Sequence, residues 1–176
     1  MHGLIHVYTG EGKGKTTAAF GLALRMYGRG GRVAVIQFLK TMDTGELAAV
    51  RQLDPLRFCV HRLETPHGFT NTLNDSQLEQ LKREIQSALD VALAYERQSQ
   101  YELLILDEII CACCAGFVDR QALEAVLDCK PDSMELVLTG RNAPDWLIER
   151  ADYVTEMHQI KHPYEKKIQA RLGIEF

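Results

Sequence analysis

The chain has 176 residues, 46% of them hydrophobic and 25% charged, and its formal net charge at pH 7 is −4. This composition is typical of one globular domain, and the negative charge argues against a broad nucleic-acid-binding surface. No apolar run approaches the roughly 20 residues that span a membrane, and the N-terminus lacks a signal-peptide pattern. We therefore expect a cytoplasmic protein with one domain over residues 1–176, without nucleic-acid or membrane partners.

Short apolar runs alternate with helix-like segments along the chain. Several of these runs are almost continuously apolar, which is typical of parallel strands that are buried on both faces. The pattern predicts an α/β fold with a mostly parallel sheet of about six strands and helices on both faces. The predicted strands are 3–8, 32–38, 57–61, 102–106, 134–138 and 153–158.

The longest helix is predicted between Asp75 and Gln98, where apolar residues recur at intervals of three and four. Asn74 or Asp75 is suited to cap its first turn. Further helices are predicted after Asp119 and from about Pro144, since proline fits a first helical turn. The polar, basic C-terminal tail is expected either to wrap the surface or to close a site.

The most informative motif lies between the first predicted strand and a predicted helix. Residues 9–17 read TGEGKGKTT, a glycine-rich loop that ends in a Lys-Thr pair. This context is that of a phosphate-binding P-loop, in which backbone N–H groups and a helix N-terminus surround a polyphosphate. Lys15 would reach phosphate oxygens, and the hydroxyl of Thr16 would bind Mg²⁺. The predicted nucleotide-binding residues of the loop are Gly10, Glu11, Gly12, Lys13, Gly14, Lys15, Thr16 and Thr17.

The motif departs from the strict P-loop pattern, which has a glycine five residues before the Gly-Lys pair. Thr9 occupies that position, and Gly10 follows one residue later. The alternative is a glycine-rich turn without a ligand, which we disfavour because the loop and its flanking elements agree.

A second motif follows the strand predicted at 102–106. Asp107 and Glu108 end this apolar run, as in the Walker B arrangement that places an acid beside Mg²⁺. Parallel strands end at one edge of a sheet, so we expect both carboxylates to face the P-loop, one binding Mg²⁺ and the other orienting it. Thr139 and Arg141 follow the next apolar strand, where Thr139 would sense phosphate or Mg²⁺-bound water and Arg141 would pair with phosphate. An ordinary turn with a surface arginine is the alternative for this last segment.

The chain has five cysteines, an odd number that argues against a disulfide framework. Cys111, Cys113 and Cys114 stand close together, and such a group can bind metal, sense redox state or contact a ligand. The group lacks the paired spacing of a zinc site, so we favour small, half-buried residues at the start of a helix.

Taken in order, these motifs resemble those of the corrinoid adenosyltransferases of the CobA/BtuR/CobO type. The resemblance covers nearly the whole chain and is specific as a set. It is carried by residues 9–23 around the P-loop, VIQFLK at 35–40, GEL at 45–47, LDEI at 106–109, LTGRNAP at 138–144, ADYVTEM at 151–157, KHPY at 161–164 and GIEF at 173–176.

The resemblance implies a RecA-like P-loop fold, usually assembled as a homodimer. It implies transfer of the 5′-deoxyadenosyl group of ATP to the Co(I) of a reduced corrinoid, with release of triphosphate. ATP, a corrinoid, Mg²⁺ and an electron-donating flavoprotein are the expected substrates, metal and partner. Thr16 and Glu108 match the Mg²⁺-contacting positions of the family, so Lys15, Thr16 and Glu108 are the expected catalytic residues, with Asp107 as a further Mg²⁺ ligand.

Two departures from the family pattern concern the site. The family has a G-F-x-W segment whose aromatic residues contact the corrinoid and help to remove the lower axial ligand of cobalt. Phe69 matches the first aromatic residue here, but Asn71 replaces the tryptophan. We therefore expect Phe69 and Asn71 to contact the corrinoid, with either altered displacement of its lower ligand or a different corrinoid substrate. Glu11 stands where the family usually has asparagine, which adds negative charge near the phosphates.

The sequence leaves two other functions open. A phosphotransferase or ATPase on the same fold would convert ATP to ADP and phosphate. A non-catalytic ATP- or corrinoid-binding protein, such as a carrier or a sensor that uses the cysteine group, would bind its ligand without turnover.

Overall fold

A six-stranded sheet forms the centre of the molecule. The computed structural model describes residues 2–40, 43–65 and 72–176. The strand order is β3-β2-β4-β5-β1-β6, and every neighbouring pair is parallel. The predicted sheet is confirmed, with each strand boundary within two residues of its predicted position. The strands are β1 (Ile5–Thr9), β2 (Val33–Gln37), β3 (Phe58–Arg62), β4 (Leu103–Asp107), β5 (Glu135–Thr139) and β6 (Tyr153–Glu156).

Helices connect the strands. They are α1 (Lys15–Gly28), α2 (Gly45–Val50), α3 (Asp75–Gln98), α4 (Ile109–Cys114), α5 (Arg120–Cys129) and α6 (Asp145–Arg150), with a 3-10 turn at Pro163–Lys166. The predicted cap of α3 is Asn74, whose side chain accepts a hydrogen bond from the Gln77 N–H while the Gln77 side chain accepts one from the Asn74 N–H. None of the described helices is both long enough and apolar enough to cross a membrane.

The two faces of the sheet bury different sets of helices. Alternate residues of each central strand point to opposite faces, so Val33 and Val35 pack on one side while Ala34 and Ile36 pack on the other. Helix α1 covers the first side through residues such as Phe20. Helices α3, α4, α5 and α6 contribute to the core on the second side. The helices therefore lie on both faces, as the apolar character of the strands predicts.

One buried residue conflicts with this apolar packing. Glu96, near the end of α3, is 1% exposed, and neither of its carboxylate oxygens has a hydrogen-bond partner among the described residues. Burial raises the pKa of Glu96 from 4.5 to about 8, and the nearby Lys130 only partly opposes this effect. The folded protein therefore keeps Glu96 protonated under conditions in which the unfolded chain ionises it.

We expect the raised pKa of Glu96 to make folding pH-dependent. The stability that depends on its protonated form is fully present below pH 4.5 and is lost as the pH rises to about 8. Glu96→Gln stays neutral, so its free energy of unfolding should fall less over that range, by about 1.4 kcal/mol for each pH unit that separates the two pKa values. Urea denaturation at several pH values measures this difference. Glu149→Gln, which removes an exposed carboxylate, is the control, and parallel curves for all three proteins would contradict the prediction.

Candidate functional site

Four strands bring polar residues to one edge of the sheet. Thr9, Gln37, Asp107 and Thr139 are the last residues of β1, β2, β4 and β5. In the register of the sheet Gln37 lies beside Asp107, and β5 separates β4 from β1. The loop that follows β1 therefore begins at the same edge as the acidic end of β4, as expected for a parallel sheet.

The glycines of the P-loop allow backbone conformations with positive φ, and they also leave room for close packing against a neighbouring segment. Gly10 and Gly14 have φ values of 95° and 114°, a region that side chains disfavour. A Cβ atom at Gly10 or Gly12 would lie 2.6 Å from the carbonyl oxygen of Met157. The Gly12 N–H donates a hydrogen bond of 2.6 Å to that oxygen. This hydrogen bond joins the loop to the segment that follows β6, a contact that the sequence does not indicate.

Lys15 lies inside the loop that precedes it. Its side chain is buried, and Nζ donates hydrogen bonds to the carbonyl oxygens of Gly10 at 2.5 Å and Gly12 at 2.8 Å. Burial lowers the pKa of Lys15, and the carboxylate of Glu108 acts in the opposite direction. A cation held at the centre of a ring of backbone groups, at the start of α1, creates a site for a polyanion.

Asp107 is the buried centre of the acidic edge. It is fully buried and receives hydrogen bonds from four side chains of the described ranges. The donors and distances are Thr139 Oγ1 at 2.7 Å, Lys40 Nζ at 2.8 Å, Thr16 Oγ1 at 2.9 Å and Gln37 Nε2 at 3.1 Å. Thr16 of the P-loop and Asp107 therefore lie within hydrogen-bond distance of each other, in agreement with the expectation that this acid faces the P-loop. Lys40 and Gln37 were not predicted as site residues, although both lie in the VIQFLK segment at the end of a strand that adjoins β4.

Asp107 and Glu108 are adjacent in sequence, but the backbone changes direction at Glu108. Its φ of 64° is unusual for a residue other than glycine, and its N–H donates a hydrogen bond of 2.9 Å to Thr139 Oγ1. This turn leaves Asp107 buried beneath Thr16 and directs Glu108 towards the cleft that the P-loop borders. The two neighbouring carboxylates thus differ in position, a distinction that the sequence motif left open.

The cysteine group lies on α4, directly behind this turn. Burial raises the pKa of the Cys111 thiol to about 12, and its sulfur accepts a hydrogen bond of 3.1 Å from the Arg141 N–H. Within residues 2–40, 43–65 and 72–176, no cluster of three metal-ligating side chains includes Cys111, Cys113 or Cys114. The five cysteines are free thiols. This supports the interpretation of small packing residues in a helix, with Cys111 bracing the turn at Arg141.

A cleft of about 1220 Å³ opens above these groups. Its walls comprise residues 11–17 of the P-loop, residues 39–40 and 44–46, Glu108, Arg141 and parts of the tail between Gln159 and Phe176. Lys13 links loop and tail, since its Nζ lies 3.3 Å from the Ile174 carbonyl oxygen and 3.5 Å from the Glu175 carboxylate. The volume lies above the roughly 300–1,000 Å³ of ordinary small-molecule pockets, so the cleft is large enough for a nucleotide.

The predicted site residues divide into two groups. Glu11 to Thr17, Glu108 and Arg141 line the cleft, whereas Gly10, Asp107 and Thr139 are buried behind it. Arg141 pairs with Glu11 at 3.2 Å across the mouth, and both side chains are well exposed. Phe69 and Asn71 lie outside the residues that the structure describes.

Comparisons with known proteins agree with this geometry. The family model described as ATP:corrinoid adenosyltransferase BtuR/CobO/CobP matches residues 1–176. The corrinoid adenosyltransferase of Pseudomonas aeruginosa is 36% identical over 175 residues, which cover 99% of this chain and 84% of that protein. Its counterparts from a Sinorhizobium species and Escherichia coli K12 are 38% and 33% identical, over 99% of this chain and 80% and 86% of theirs.

Similarity to solved structures concerns the fold alone. A KaiC-like protein from Pyrococcus horikoshii OT3 superposes with a TM-score of 0.53 at 14% identity. The superposition covers 92% of this chain and 75% of that one. Together with the parallel sheet and the loop after β1, it confirms the expected RecA-like P-loop architecture.

The Glu11–Arg141 pair leads to a prediction about nucleotide affinity. Glu11→Asn removes a carboxylate from the phosphate-binding loop and releases Arg141 to pair with phosphate. We expect the Kd for MgATP to fall about two- to fivefold at low salt, and less at high salt, because exposed ion pairs are weak and screened. Isothermal titration calorimetry measures the change.

A matched control removes an ion pair elsewhere. Glu124→Gln breaks the exposed contact with Arg120 on α5, at 2.8 Å, and should leave the Kd unchanged. Weaker MgATP binding by Glu11→Asn would contradict the prediction and would indicate that Glu11 holds Arg141 in a productive position.

Proposed function

Because the chain belongs to the BtuR/CobO/CobP family of ATP:corrinoid adenosyltransferases, we propose that it transfers the 5′-deoxyadenosyl group of ATP to the cobalt of a reduced corrinoid. The observation that carries this proposal is the family match over residues 1–176. The P-loop with its buried lysine, placed beside a buried acid, supports it chemically. A phosphotransferase or a non-catalytic binding protein is not favoured, since neither agrees with the family.

The reaction needs no nucleophile from the protein. The electron pair of Co(I) attacks C5′ of ATP, a cobalt–carbon bond forms, and the C5′–oxygen bond breaks with its electrons leaving on triphosphate. Negative charge therefore develops on the leaving group, and groups placed beforehand around that charge lower the barrier. We assign this role to Lys15, Lys13 and the N–H groups of the P-loop. Thr17 and Arg141 would complete the contacts to ATP, while Thr139, which is buried behind the cleft, would act through its hydrogen bonds with Asp107 and the Glu108 N–H.

The residues present fit a magnesium ion. Thr16, Asp107 and Glu108 offer a hydroxyl and carboxylates, the oxygen ligands that Mg²⁺ prefers. Gln37 Oε1 is buried beside Asp107 without a hydrogen-bond partner among the described residues, so it is free to accept from metal-bound water. When bound, Mg²⁺ would neutralise charge on the triphosphate. We propose that Thr16, Glu108 and Asp107 hold it.

The corrinoid side of the site rests on the family pattern. We propose that Phe69 and Asn71 contact the corrinoid, and that the side chain of Asn71 handles its lower face differently from tryptophan. An electron-donating flavoprotein would supply the Co(I) state. The cytoplasm is the proposed compartment, because it provides both ATP and reductant.

We further propose that the protein acts as a homodimer that uses the surface of β6. This edge strand has four exposed residues, with Tyr153 54% and Val154 43% exposed. An open edge with apolar side chains is suited to pairing with a second copy. Further exposed apolar residues follow in the tail, namely Ile160, Tyr164, Ile168, Leu172 and Ile174.

Light scattering after size-exclusion chromatography tests the dimer. The wild type should have about twice the 19.9 kDa mass of one chain. Val154→Lys places charge on the β6 surface and should shift the mass towards that of a monomer. Leu56→Lys changes an equally apolar, 81% exposed residue near the opposite edge and should remain dimeric. A monomeric wild type, or a dimer unaffected by Val154→Lys, would refute this surface.

Product analysis tests the reaction. The purified protein is incubated anaerobically with MgATP and chemically reduced cob(I)alamin, and the corrinoid spectrum and phosphate products are followed. We expect adenosylcobalamin together with intact triphosphate. Lys15→Ala should lower the rate by about 100-fold or more, because a charge-stabilising group at the leaving oxygens is lost. Lys82→Ala, which changes an exposed lysine on α3, is the control; formation of ADP and phosphate would refute the proposal.

A further inference from the structure

Lys40 occupies an unusual position at the acidic edge. Its ammonium donates hydrogen bonds to Thr16 Oγ1 at 2.5 Å and to Asp107 Oδ2 at 2.8 Å. Its own carbonyl oxygen accepts a hydrogen bond of 2.9 Å from Arg62, which fixes the backbone at the end of β2. The side chain is 25% exposed and borders the cleft, whereas Asp107 is completely buried. A cation therefore stands between the P-loop hydroxyl and the Walker B carboxylate.

The positive charge of Lys40 compensates the negative charge of the buried Asp107 carboxylate. A buried carboxylate without a counter-charge is costly, and hydrogen bonds from Thr16, Thr139 and Gln37 are neutral. Of the four donors to Asp107, Lys40 is the charged one. Without the Lys40 ammonium, the Asp107 carboxylate would be stabilised by neutral hydrogen-bond donors alone.

Lys40 contacts the two oxygens, on Thr16 and Asp107, that would hold a metal ion at this edge. A cation that binds both the Thr16 hydroxyl and the Asp107 carboxylate must approach the same two oxygens that the ammonium now contacts. Two cations at such a distance would repel strongly in a poorly solvated site. The ammonium and the metal ion therefore exclude each other at these oxygens.

We infer that Lys40 is an internal counter-ion that holds the metal position until a metal–nucleotide complex displaces it. The inference rests on the proposed function, since it concerns the same Mg²⁺ site. A metal ion that binds without nucleotide must displace the Lys40 ammonium from Thr16 and Asp107. It offers the displaced ammonium no new negatively charged partner. A metal–triphosphate complex brings phosphate oxygens into the cleft, where the displaced ammonium finds negative charge. Lys40 is thus a positioning residue that makes metal binding depend on the nucleotide.

Direct metal binding tests this inference without any measurement of turnover. Mn²⁺ is titrated into the nucleotide-free protein and followed by electron paramagnetic resonance, with Lys40→Met and Lys40→Gln compared to wild type. We expect both variants to bind Mn²⁺ at least tenfold more tightly than wild type, because the competing cation is gone. Lys82→Met, which removes a positive charge on α3 far along the chain, should match the wild type.

Thermal unfolding supplies a second readout. Without metal, Lys40→Met should melt at a lower temperature than wild type, since Asp107 loses its counter-charge, and millimolar Mn²⁺ should restore more of its stability than it adds to wild type. Mn²⁺ affinity that is unchanged or weaker in both Lys40 variants would overturn the inference. If wild type forms adenosylcobalamin while that result holds, the proposed function stands and the role of Lys40 alone fails. If no protein binds Mn²⁺ even with ATP, the proposed metal site itself fails.

Discussion

The geometry of the site depends on one buried charge, the carboxylate of Asp107. An ionised carboxylate that is removed from water requires several kcal/mol of compensation from its surroundings. Its donors come from different parts of the chain: Thr16 lies in the first turn of α1, Gln37 ends β2, Lys40 follows β2 and Thr139 ends β5. Satisfying this single group therefore fixes the start of α1 relative to three strands.

The strand order makes this convergence possible. β4 lies between β2 and β5, so both of its neighbours end beside Asp107. Thr139 serves two purposes there, because its hydroxyl donates to Asp107 and accepts from the Glu108 N–H. The hydroxyl thereby stabilises the left-handed backbone that directs Glu108 away from Asp107. One threonine thus separates two adjacent carboxylates into a buried residue and a residue that borders the cleft.

Much of the fold could be predicted because its signals are local. The buried strands are short apolar runs, and the apolar spacing of α3 and its Asn74 cap are visible in a few adjacent residues. The P-loop and the acid pair are likewise contiguous. Lys40, Gln37 and Met157 were missed as site residues because their roles arise from strand order and loop packing, which bring residues distant in sequence together. The pairing of Arg141 with Glu11 was also hidden, since nothing in either segment indicates the other.

The hydrogen bond between the Gly12 N–H and the Met157 carbonyl connects the P-loop to the edge of the sheet. A P-loop amide that donates to the chain itself is not available to phosphate in this conformation, so Gly12 contributes to the position of the loop. Met157 directly follows β6, the edge strand of the sheet, and its own N–H is bonded to the Thr9 carbonyl. Both hydrogen bonds join backbone atoms, so the connection between the P-loop and the edge strand does not depend on the Met157 side chain.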